Sequence, residues 1–174
     1  MNKSSVEKVA TGVIAIDGIF LLNSNIDIKP DWNPALDNGN KYSVQYRASS
    51  AGWQEINQDP LPLMLFDFLV GVRLLREEHL ETVTQHPETA SDYILAEITA
   101  TFRGHYRLQQ NPQASEQDLK DFADVNVGFD VWPFWREYLQ ATCLRTGLPL
   151  IPLPVYKLSE PKSPKTPRDR KAHV

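Results

Sequence analysis

The sequence predicts an α+β domain, with an antiparallel sheet laid down first and a helical region added after it. Three observations carry this reading. Apolar residues alternate with period two in residues 41–49, 63–76 and 91–108. Helix signals begin only at Ser115. Beyond Gly147 the chain places three prolines in six residues and returns to extended backbone. Strands segregated from helices in this order define α+β rather than a doubly wound sheet. A length of 174 residues suits one domain. The expected division is an N-terminal extension at 1–10, the domain at 11–158, and a disordered, basic Pro/Lys-rich tail at 159–174.

The first strand is expected at 11–23, rich in Ile, Val and Phe. A long connection over 23–40 follows, punctuated by Pro30, Pro34 and Asn38-Gly39. In 41–49, Tyr42, Val44, Tyr46 and Ala48 share one face and polar residues the other, the pattern of a half-buried strand. Gly52, Pro60 and Pro62 mark a turn-rich stretch. In 63–76, Met64, Phe66, Phe68, Val70, Val72 and Leu74 line one face, and the other face is mixed. A charged loop is expected at 77–90. In 91–108, Ile94, Ala96, Ile98, Ala100 and Phe102 face one way, and Glu97 and Arg103 the other. One apolar and one semi-polar face fit an antiparallel sheet.

Ser115 can cap a helix, with Asp118 three residues on as an imperfect capping box. Leu119, Phe122 and Ala123 form its apolar stripe. Gly128 is expected to interrupt it. Pro133 then restarts the helix at a first-turn position, where a missing N–H costs nothing. Gly147 fits a left-handed C-terminal cap, and Pro149 stops continuation.

Composition narrows the function classes. The net charge of −4 gives no reason to expect nucleic acid as the partner. Residues 159–174 hold five basic side chains against two acidic ones, so the rest of the chain is more acidic than the total shows. An acidic body can attract a basic partner. The lone cysteine, Cys143, excludes an internal disulfide and reads as a buried structural thiol. Residues 1–10 lack a basic-then-apolar leader pattern, and the apolar run at 13–22 is too short for a membrane span. A cytoplasmic protein is the expectation. There is no phosphate-binding glycine loop and no nucleophile elbow. Glu77, Glu78, His79, Glu81 and His86 match no standard metal spacing and read as a solvated loop. Asp67 and Glu97 share a face with Arg73 and Arg103, which favours cross-strand ion pairs over a carboxylate pair for acid–base work. The sequence points away from an enzyme, with no cofactor and no metal.

The aromatics say more. Trp32 sits in the connection Lys29-Pro-Asp-Trp-Asn-Pro34, where a large ring needs packing partners. Trp132 and Trp135 bracket Pro133-Phe134, so this helix presents aromatics on several sides and wants contacts on more than one. Apolar residues on both sheet faces point the same way, to self-association or a peptide-binding surface.

These residues also carry a resemblance. Val131-Trp-Pro-Phe-Trp-Arg-Glu-Tyr-Leu139, then Arg145-Thr-Gly-Leu-Pro149, then Leu153-Pro-Val155, resembles the C-terminal core of the SecB chaperone family. The spacing agrees from Pro133 through Leu153, with one residue missing before Pro154-Val155. Asp31-Trp32-Asn33-Pro34 resembles the Asp-Trp-Gln-Pro of that family's crossover loop. Leu95-Ala96-Glu97-Ile98 resembles Leu-Cys-Glu-Val on its last strand. The likeness spans about residues 10–156.

The resemblance implies a four-stranded antiparallel sheet with one long helix packed on it, assembled as a homotetramer, a dimer of dimers. It implies an ATP-independent holdase that binds unfolded polypeptides in apolar grooves, as in preprotein export to the Sec machinery. Ile26, Ile28, Trp32 and Leu36 become candidates for the client groove, and Glu97 for contact with the export motor SecA. Two departures stand out. Family members continue after Pro-Val into a second helix and an acidic or motor-binding tail. Here Tyr156 is followed by Lys/Pro-rich sequence. A shortened end resembles SecB-like chaperones dedicated to a toxin–antitoxin system, where the client is an unstable antitoxin.

Overall fold

The computed structural model of the chain describes residues 5–10, 12–37, 39–57, 61–108 and 114–156. The expected tail at 159–174 and residues 1–4 of the expected extension lie outside them. Ser5–Ala10 form a short helix, α1, whose Val9 is fully buried in the main core.

Four strands make one antiparallel sheet: β1 (Val13–Ile28), β2 (Tyr42–Ile56), β3 (Leu63–Arg76) and β4 (Ile94–Leu108), in the order β1-β4-β3-β2. This is the expected α+β class. At about 3.3 Å per residue these strands span about 50 Å. Helix α4 (Glu116–Phe122) runs through a π-helical turn at Ala123–Val127 into α5 (Gly128–Thr146). At 1.5 Å per residue that path is about 45 Å, so one helical rod covers one face of a sheet of similar length.

The alternation in β3 and β4 sets that face. Register pairs Phe68 with Phe102, Val70 with Ala100, Val72 with Ile98 and Leu74 with Ala96, and all eight side chains are buried. Phe122, Val127, Val131, Trp135, Leu139 and Cys143 come down on them from the helical layer. Phe66, Tyr106 and Phe122 form a three-ring cluster with edge-on or tilted contacts, the arrangement aromatic quadrupoles prefer.

The helix ends follow the local chemistry. The Ser115 hydroxyl accepts the Asp118 N–H, and the Asp118 carboxylate accepts the Ser115 N–H, a complete capping box. Gly147 takes the left-handed conformation (φ 71°), and the Leu148 N–H closes back to the Cys143 carbonyl. Replacing Ser115 by alanine is expected to cost about 1 kcal/mol. A fall of about 2–4 °C in the thermal midpoint, followed by circular dichroism, would show it.

Four expectations need correction. The first strand does not stop at Asn23. It continues to Ile28, because β4 offers ladder partners throughout, Ser24 opposite Ala100 and Ile26 opposite Ile98. β2 likewise runs past Ser49. Gly52 is not a turn but absorbs a register slip between Ser50 and Gly52 at φ 130°, a backbone conformation suited to glycine. The charged loop is a helical connection: α2 (Leu80–Gln85) and α3 (Ala90–Tyr93), each preceded by a 3₁₀ turn. There Val83 and Ala90 bury Leu75. Finally, Pro133 starts no helix. It lies inside α5, which begins at Gly128 just after the π turn. Its ring forfeits the bond to the carbonyl four residues back, and the widened turn upstream replaces the break expected at Gly128.

Candidate functional site: the crossover loop and the C-terminal strap

β1 and β2 occupy opposite edges of the sheet, so residues 29–41 must cross the ends of β4 and β3 to join them. Two backbone bonds pin the ends of this loop: Lys29 N–H to the Leu95 carbonyl, and Glu77 N–H to the Lys41 carbonyl, each 2.9 Å. Inside the loop, Trp32 N–H donates to Lys29, Leu36 N–H to Asn33 and Asp37 N–H to Pro34. The Asn33 side chain accepts the Ala35 N–H.

Asp37 gathers the loop. Its carboxylate accepts the Trp32 indole N–H at 2.8 Å, the Tyr42 hydroxyl at 2.9 Å, an Arg76 guanidinium N–H at 3.2 Å, and the Asn40 side-chain amide. The Trp32 bond, with those of Tyr42 and Asn40 and the nearby Arg76 charge, holds its carboxyl below the usual carboxylate range. Trp32 itself is buried and meets Tyr42 edge-on. A cavity of about 210 Å³ lies beside it, lined by Trp32, Arg76, His79, Tyr93 and Leu95 among others.

The candidate groove residues separate into two pairs. Trp32 is buried in the main core, and Ile28, half-buried at the end of β1, packs against it. Ile26 lies on β1, not in the loop, and is 42% exposed. Leu36 stands 78% exposed on the loop next to Asp37. Ile26 adds to a run of exposed apolar side chains along β1 with Ile16, Phe20, Leu21 and Leu22.

The second feature is the segment at 148–156. It is extended, as its prolines predict, and folds back as a strap. Leu148 and Ile151 are buried in the core. The strap's backbone is held by side chains. Tyr46 O–H donates to the Pro152 carbonyl at 2.8 Å, and Trp132 indole N–H to the Pro154 carbonyl at 2.9 Å. Tyr156 packs on Trp132 and Phe68 and donates its hydroxyl to the Asp124 carbonyl in the π turn. The Asp124 carboxylate in turn accepts the Ser50 N–H at the β2 slip. Side-chain donors aimed at main-chain carbonyls hold an extended peptide without reading its sequence.

The outer sheet face carries ion pairs in register. Arg103 grips Asp67 through two bonds of 2.6 and 2.8 Å, and Arg73 meets Glu97 at 2.7 Å. The cross-strand reading of these four residues therefore holds, and Glu97 is 29% exposed beside its partner. Cys143 is fully buried on α5, and burial pushes its thiol pKa up. Among the described residues no three His, Cys, Asp or Glu side chains converge as a metal site would require. Among the described residues, no helix is long and apolar enough to cross a membrane.

Sequence reasoning missed Asp37 and the strap's anchors, Tyr46 and Tyr156. The one available signal for the first was Trp32 itself, a ring in a loop that had to find a partner.

The comparisons agree with this geometry at the level of the fold. No protein-family model matches the chain, and no curated protein matches its sequence. Among solved structures, the chain is similar to the Mycobacterium tuberculosis Rv1957 SecB-like chaperone in complex with a ChAD peptide from the Rv1956 HigA1 antitoxin. The TM-score is 0.59 at 19% identity, over 91% of this chain and 99% of that one. The fold is SecB-like, as the resemblance implied.

Proposed function

We propose that this protein is a non-catalytic, SecB-like chaperone that holds an extended, unfolded segment of an unstable antitoxin, without ATP, cofactor or metal. The observation that carries this is the SecB-like fold over nearly the whole chain, shared with a chaperone solved with an antitoxin peptide. The strap adds support, since this surface already holds extended, proline-containing chain by its carbonyls. Client contact is assigned to the crossover-loop end of the sheet, with Leu36 and Ile26 as exposed apolar contacts and buried Trp32 and half-buried Ile28 as the floor beneath them. Each apolar side chain buried there contributes about 1.5–3 kcal/mol before the cost of ordering the client. A homotetramer would add avidity, and the cytoplasm is the compartment such a client implies.

Preprotein export is the reading the geometry favours less. It needs an acidic contact for the SecA motor, and the Glu97 carboxylate is engaged by Arg73. The chain after Tyr156 is basic rather than acidic.

Light scattering on the purified protein is expected to give a mass near four chains. A permanently unfolded polypeptide, reduced and carboxymethylated α-lactalbumin, is expected to bind. So is the antitoxin of a neighbouring toxin–antitoxin pair, more tightly. A strict monomer that binds neither would overturn the reading.

A further inference from the structure

The structure assigns Asp37 as a positioning residue that preforms the crossover loop for its client and holds Leu36 out as a contact. This rests on the chaperone reading above and goes beyond it by naming what shapes the binding surface. One carboxylate serves four donors from three places: Trp32 and Asn40 in the loop, Tyr42 at the start of β2, and Arg76 at the end of β3. The Asp37 side chain is 8% exposed, yet its immediate neighbour Leu36 is 78% exposed.

An apolar side chain on a slack loop would turn inward toward the core. This one cannot, because its own N–H is bonded to Asn33 and the next residue is fixed to the sheet. Trp32 is tied to the same carboxylate, so the floor under the loop and the tip above it move together. The loop thus enters binding already ordered, and an ordered loop spares the complex the entropy of ordering it. If the clamp were loosened, only the fraction of molecules with a formed loop would be competent, and the apparent affinity would fall by that fraction.

Asp37→Asn tests this. The amide keeps the shape but offers one acceptor atom where the carboxylate offered two, and it leaves Arg76 without its counter-charge. The probe is reduced, carboxymethylated α-lactalbumin, with binding and association rate measured by stopped-flow fluorescence. Amide hydrogen exchange is followed in the same samples. The expected result is about five- to tenfold weaker binding, mostly through slower association. The Trp32, Leu36 and Asp37 amides should exchange faster, with protection restored when the probe binds. β3 amides should keep wild-type protection. Leu36→Ala is expected to weaken binding while leaving loop exchange unchanged, because it removes a contact and not the clamp.

Two results overturn the inference: faster loop exchange with wild-type affinity, or unchanged loop exchange in Asp37→Asn. Should Asp37→Asn also disturb β3, Tyr42→Phe decides. It deletes one of the four donors, and affinity must again fall in step with loop protection. Failure of the wild type to bind the probe would instead overturn the chaperone reading, so the two failures are distinguishable.

Discussion

Replacing Trp135 with alanine is expected to remove about 3–5 kcal/mol of stability, the largest loss of any single truncation on α5. Trp135 is fully buried, stacks on Tyr138 at 6.1 Å between ring centres, and lies in the cluster that joins α5 to β3 and β4. A rod docked on a sheet cannot close a hole of that size by local collapse. For a domain stable by about 5–15 kcal/mol, this is about a fifth or more of the total. Trp135→Phe should cost distinctly less. It keeps most of the ring, and it removes an indole N–H that is buried without a hydrogen-bond partner among the described residues. An orphaned donor of that kind opposes folding by about 1–3 kcal/mol. Urea unfolding at one fixed protein concentration measures both, since assembly would make stability concentration-dependent. A loss below about 1 kcal/mol for the alanine variant would show that α5 is not anchored there.

What the sequence made legible were features fixed by near neighbours. Ser115 with Asp118, Gly147 with Pro149, and the alternation of β3 and β4 each depend on residues a few positions apart, and each stands as expected. Features fixed by distant partners were not legible. The Asn23-Ser24-Asn25 run is a poor strand by propensity. It extends because β4 lies alongside and its side chains face solvent, where polar residues cost nothing. Gly52 reads as a turn until the Asp124 carboxylate arrives to take the Ser50 N–H beside the slip. Pro133 reads as a helix start because only the fold reveals a helix already running from the π turn. Of the candidate site, Trp32 was visible as a ring in need of burial. The carboxylate that holds it was hidden beside Asn38-Gly39, since Arg76 joins it from 39 positions away. The motifs around Trp132 and Trp32 pointed to the SecB-like fold, while the end of the described residues, 148–156, is seated by partners far along the chain.

That end is also where the second large effect is expected. Gly128→Ala should release the strap. Glycine inside a helix is ordinarily about 1 kcal/mol worse than alanine, so the substitution would stabilise an isolated helix. Here a Cβ would sit 2.5 Å from the Tyr156 ring carbon bearing the hydroxyl, and 2.8 Å from Phe68 Cζ. Phe68 is locked in the core, so the Tyr156 ring must give way. Its bond to the Asp124 carbonyl goes with it, and the Trp132 bond to the Pro154 carbonyl is then strained or lost. Overpacking of this kind costs about 1–3 kcal/mol, enough to outweigh the propensity gain. The expected signature is faster exchange and proteolysis at 152–156 with the sheet intact. Tyr156→Ala should relieve most of the penalty when combined with Gly128→Ala, a coupling that independent sites would not show. Titration gives a second handle. Burial pushes the Tyr156 phenol up to about 12 from an ordinary value of 10.0. The folded strap therefore favours the neutral phenol. Its contribution is intact below pH 10 and is lost as pH rises toward 12. Tyr156→Phe, which cannot ionise, should lack that part of the alkaline transition while Tyr42, Tyr46 and Tyr106 keep theirs. If Gly128→Ala instead raises stability with the strap still protected, the strap is not seated by the space that glycine leaves.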